Sequence, residues 1–109
     1  MPDFWQKMEA LEPELTAKAT GLRDFVFADR ALPRKTKELI YLGMCCATRF
    51  HDGIRIHAQR ALEHGATANE VYETIALSIV CAGIPAFREA VNTVRHLIWP
   101  TKNPAGARR

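Results

Sequence analysis

The run Thr74–Phe87, TIALSIVCAGIPAF, constrains this chain more than any other stretch. It is apolar nearly all round, and a helix apolar on every face has to be enclosed. A chain of 109 residues buries only a modest fraction of its surface. The run is therefore expected to be covered by another copy of the chain, which predicts a homo-oligomer. The alternative is a central helix wrapped by the other helices of the same chain.

The remaining pattern is helical as well. Apolar residues recur at three- and four-residue spacing, and no stretch sustains a period of two. The fold class read from this is all-α: one oligomeric, single-domain bundle of about five to six helices. Its helical domain spans 1–101, followed by a basic tail at 102–109 that is expected to be disordered. Pro2 suits the first turn of a short helix, and Pro13 the start of the next, PELTAKATGLRDFVFAD, weakened by Gly21. RALPRK is a connector broken by Pro33. A long helix should begin near Arg34 to Thr36 and end near Arg49 or Phe50, with Leu39, Leu42, Cys46 and Phe50 on its apolar stripe. The next helix carries HDGIRIHAQRALEHG, capped by a left-handed Gly65. Thr67 to Glu70, TANE, is a capping box that opens another helix, closed by Gly83. Pro85 opens the last helix and Pro100 ends it.

Charge narrows the function classes. The net charge is +3, and the tail alone supplies it through Lys102, Arg108 and Arg109, leaving a neutral body. A neutral body is a poor footprint for DNA or RNA, so no nucleic-acid partner is expected. No run of about 18 apolar residues is read, so no membrane partner is expected either. The N-terminal stretch has early acids and no apolar signal core, and a cytoplasmic location is the default expectation. Three cysteines without framework spacing argue against a secreted disulfide scaffold. Inside the body, Arg34, Lys35, Lys37, Arg49, Arg55 and Arg60 face only Glu38 and Asp52 between positions 34 and 60. That local excess suits a small anionic ligand, and equally a solvated helix face.

Chemistry-bearing residues are few. Cys45 and Cys46 point about 100° apart on a helix, which forbids a disulfide between them. Both, and Cys81, read as small buried hydrophobes, with Cys45 and Cys46 the candidate redox thiols. His51 and His57 are six residues apart, not the four a helical zinc pair uses, so no metal is expected. Glu38 shares a face with Leu42 and Cys45. His57 shares one with Phe50, Gly53 and Ile54. A carboxylate and an imidazole brought together in a partly buried cleft exchange protons and shift each other's proton affinity. The bland alternative is a first-turn acid and a satisfied core histidine.

From Pro33 to Phe87 the sequence resembles the carboxymuconolactone decarboxylase and alkylhydroperoxidase-D-like superfamily. The similarity rests on LPRKTKELIYLGMCCAT, RIHAQRALEHGATANEVYETI and GIPAF, with His57 to Val71 its densest part. The resemblance implies an all-helical fold in trimers or hexamers, with sites near subunit contacts. In the redox branch of the superfamily the pattern is Glu-x11-Cys-x-x-Cys-x-x-x-His. Here the glutamate falls on Glu38 and the histidine on His57, while the cysteine positions hold Phe50 and Gly53. The proton-relay pair is kept and the dithiol is gone.

The decarboxylase branch needs no dithiol. The resemblance then implies cofactor-free, lyase-type acid–base chemistry on a small anionic lactone or carboxylate. Arg49 or Arg55 would bind carboxylate, His57 donate a proton and Glu38 orient His57. His51, Asp52, Phe50 and Gly53 would line the substrate. Two rivals stand beside this reading: a thiol peroxidase or disulfide reductase using Cys45 or Cys46, and a non-catalytic ligand-binding or interaction domain.

Overall fold

The structure, a computed structural model, describes residues 4–99. The expectations at Pro2, at Pro100 and for the basic tail lie outside the described residues. Five α-helices and no strand occur among the described residues: α1 (Phe4–Leu11), α2 (Pro13–Phe27), α3 (Arg34–Thr48), α4 (His51–Glu63) and α5 (Ala68–Ile98). The chain divides into two compact units, Met1–Ala31 and Leu32–Arg109.

In the first unit α1 packs on α2. Pro13 occupies the first turn of α2, where its missing N–H costs nothing. Gly21 lies inside α2 rather than ending it, with open space where a side chain would be. Thr16 is the one buried residue of α2.

In the second unit α3, α4 and α5 pack pairwise on one another. Pro33 caps α3 in extended backbone. The helix stops at Arg49, a non-glycine residue at φ 59°. The N–H groups of Arg49 and Phe50 return to the carbonyls of Cys46 and Cys45 at 3.2 and 2.9 Å, a Schellman arrangement. Gly65, at φ 100°, ends α4 in the same way. There the N–H groups of Gly65 and Ala66 reach Leu62 and Ala61 at 3.1 and 2.9 Å. The capping box at Thr67 is complete: the Glu70 N–H donates to Thr67 Oγ1 at 3.0 Å, and the Thr67 N–H to Glu70 Oε1 at 2.9 Å. Gly83, at φ 88° and ψ 171°, breaks α5 with Pro85 just beyond it. The two expected helices thus run end to end across a kink.

The core of this unit is the meeting of three stripes. Leu42, Cys45 and Cys46 come from α3, Ile54, Ala58 and Ala61 from α4, and Val71, Ile75, Ala90, Val94 and Ile98 from α5. Fully burying a Val, Leu or Ile side chain stabilises by roughly 1.5–3 kcal/mol, and alanines on α4 and α5 let the helices approach closely. Phe50 departs from its expected place: it lies past the end of α3 and is about half exposed. Cys81 departs too, being exposed while Cys45 and Cys46 are buried.

Among the described residues, α3 and α4 cover one stripe of the apolar run of α5 and leave another open. Val80 is 86 % exposed and Leu77 71 %, with Ile84 also open. One further expectation changes with it. By length and composition α5 could cross a membrane, although no such stretch was read from the sequence. One stripe of α5 packs on α3 and α4, the helix bends at Gly83, and 22 % of its most apolar window is buried.

A candidate acid–base site on α3 and α4

Glu38 and His57 meet. Glu38 lies in the first half of α3 and is wholly buried, as is Leu42 one turn on. His57 lies mid-α4, beside the buried Ile54, Ala58 and Ala61. His57 Nδ1 and Glu38 Oε1 are 2.6 Å apart. Arg34, one turn before Glu38, donates from Nε to Oε2 at 2.7 Å. Both carboxylate oxygens are therefore engaged.

This arrangement fixes the tautomer. An ionised carboxylate only accepts, so the His57 nitrogen facing it carries a hydrogen and donates it. The lone pair of the neutral ring is then on Nε2. Burial pushes the proton affinity of His57 below the ordinary histidine value, and the charges of Arg60 and Arg34 push the same way. The bond to Glu38 and its negative charge oppose this without reversing it. The balance favours the neutral imidazole over the charged one.

Tyr41 completes the surroundings. Its ring stands edge-on to His57, with centroids 4.5 Å apart. Its hydroxyl and the Cys45 thiol one turn along α3 shift each other's proton affinity. Cys45 in turn fills the space at Gly53. A Cβ at position 53 would lie 2.6 Å from Cys45 Sγ and 2.6 Å from Phe50 Cδ2. Glycine is what lets the end of α3 and the start of α4 close here.

The thiols are not activated. Burial raises the proton affinity of Cys45, and the nearby charge of Glu38 adds to this against the Tyr41 hydrogen bond. Cys46 is pushed up to about 12, by burial and by Cys45. A thiol held protonated is a poor nucleophile.

The expected anion-binding residues are engaged elsewhere. Arg49 Nε and His51 Nε2 converge on Glu89 Oε1 of α5, at 3.3 and 3.1 Å. Arg55 Nη2 reaches Asp52 at 3.4 Å, between exposed side chains. Gly53 is buried against Cys45. The cations whose charge acts on His57 are instead Arg34 and Arg60. Neither was singled out as a site residue from sequence, nor was Tyr41. Arg34 had a legible signal, the four-residue spacing to Glu38. Tyr41 and Arg60 had none, because each acts across a helix contact or through space.

The model of the carboxymuconolactone decarboxylase family matches residues 13–96. An uncharacterized protein of Methanocaldococcus jannaschii is 24 % identical over 82 residues, 75 % of this chain and 77 % of that protein. The crystal structure of an apo carboxymuconolactone decarboxylase family protein from Legionella pneumophila superposes with a TM-score of 0.76 at 28 % identity, covering 85 % of this chain and 86 % of that one. With well over half of its length matched by that family model, the chain belongs to the carboxymuconolactone decarboxylase family.

Proposed function

We propose that the chain is a cofactor-free, lyase-type acid–base enzyme acting on a small anionic lactone or carboxylate, with His57 as its proton carrier. The observation that carries this reading is the 2.6 Å contact between His57 Nδ1 and the buried, arginine-held Glu38. In a decarboxylation the bond to the departing carboxylate breaks and carbon dioxide leaves. The electron pair is delocalised into the remaining unsaturated system as an enolate. The His57 imidazolium then delivers a proton to carbon, and Glu38 holds the ring in place and stabilises its charged form. His57 rests neutral, so it has to take up that proton first, and an anionic substrate beside it favours the uptake.

The test is carbon dioxide release from γ-carboxymuconolactone by the wild type and by His57→Ala. Release by the wild type and a loss of at least about a hundredfold in the variant are expected for a general acid. Equal release from both would remove His57 from the mechanism, and no release from either would exclude this substrate. The free enzyme must be protonated at His57, so kcat/KM should fall as pH rises through a value below the ordinary 6.5.

Self-association belongs to the same proposal, as a trimer or hexamer. The open apolar face of Leu77, Val80 and Ile84 supports it.

A second reading uses a thiol, and one observation favours Cys45 over Cys46 for it. Both thiols are buried, but Tyr41 lowers the proton affinity of Cys45 and stands edge-on to His57, whereas Cys46 is pushed up to about 12. A hydroperoxide would oxidise Cys45 to a sulfenic acid, releasing an alcohol; one external thiol would form a mixed disulfide with loss of water, and a second would release the Cys45 thiol and an external disulfide. Dimedone labelling after peroxide treatment, absent in Cys45→Ser, is the expected result; an unlabelled wild type would sink this reading.

A further inference from the structure

Away from the dyad, α4 turns another face toward the end of α5. Arg55 and Arg60 of α4 and His96 of α5 line an open cleft of about 500 Å3, with Ile56 and Leu97 supplying apolar wall. The volume falls within the range of small-molecule sites. His57 is not among its lining residues.

The basic side chains of this cleft are under-used. Among the described residues, neither Arg60 nor His96 forms an ion pair. Arg55 has only the 3.4 Å contact to Asp52, and both side chains are more than half exposed. Such exposed pairs are worth little, so Arg55 is easily redirected to a ligand. The acid in the cleft, Glu63, accepts from Gln59 at 3.2 Å. A guanidinium matches a carboxylate with two parallel hydrogen bonds. The apolar wall gives no purchase to a bare inorganic anion, and Glu63 works against a multiply charged one.

We propose that this cleft binds a small monocarboxylate with an apolar body, at a site separate from the Glu38–His57 pair. Arg55 and Arg60 hold the carboxylate, His96 adds a hydrogen bond, and Ile56 and Leu97 take the body. The inference stands independently of the acid–base reading.

Benzoate is the probe, with benzyl alcohol as its neutral counterpart, and the full chain is used in its natural assembly. Binding is followed by calorimetry and by the His96 ring resonances. Benzoate should bind saturably and move the His96 signals, about tenfold more tightly than benzyl alcohol. Arg60→Gln and Arg55→Gln should each weaken benzoate about fivefold, while Arg88→Gln, an exposed change outside the cleft, leaves it unaltered. Four results would overturn the proposal: no saturable binding, equal affinity for the two probes, an equal loss in Arg88→Gln, or unmoved His96 signals, as when a neighbouring copy covers the cleft. None of these readouts uses turnover, so the proposal can fail while the dyad chemistry stands.

Discussion

A side chain at position 53 requires its neighbours to shift. A Cβ there would sit 2.6 Å from Cys45 Sγ and from the ring of Phe50. Gly53→Ala should destabilise the protein by about 1–3 kcal/mol, the usual range for overpacking, read from the urea midpoint. An unchanged midpoint would mean that α3 and α4 do not close on each other here. The same glycine shows what was legible at this scale. The shared faces of Glu38 with Leu42 and of His57 with Ile54 came from helical spacing, and the family resemblance placed the two on known relay positions. Their partners were harder. That Cys45 fills the room left by Gly53 is a contact between helices, which no single-helix period reveals.

The helix ends were the most readable elements, because each is set by local chemistry. Pro33, Gly65 and the Thr67–Glu70 box act through their own backbone geometry, and all three stand where they were read. Thr67→Ala removes one side of the box and should cost about 1 kcal/mol in thermal or urea unfolding. A change within a few tenths of zero would mean that the capping bond contributes nothing in solution. What happens between the ends was less readable. Arg49 takes a left-handed turn that glycine usually fills, at a cost of roughly 1 kcal/mol or more. Its guanidinium meets Glu89 and so ties the end of α3 to the far half of α5. The cationic excess between positions 34 and 60 was visible as a sum. Its division, with Arg34 on Glu38, Lys35 on Glu70, Arg49 on Glu89 and Arg55 near Asp52, depends on helix packing.

For the molecule as a whole, the open apolar face of α5 and the buried ionisable pair make separate demands. Leu77, Val80 and Ile84 stand exposed among the described residues. Sedimentation should find an assembly for the wild type, and Val80→Glu should shift it toward the monomer without loss of helical signal. A monomeric wild type would refute the proposed assembly. The buried pair sets a pH dependence. His57 binds its proton less readily folded than unfolded, so the unfolded chain takes up more protons below the ordinary histidine value. Stability is therefore fully present above about 6.5 and falls as pH drops through that value toward the folded one.

That proton affinity is also where the proposed chemistry can be examined without a substrate. A nitrogen-15 NMR titration of the His57 ring reports its tautomer and its pKa together. The predicted result is a neutral ring at pH 7, protonated at Nδ1, with a pKa below the ordinary 6.5. A ring protonated at Nε2 in its neutral form, or a pKa above 6.5, would contradict the buried Glu38–His57 relay.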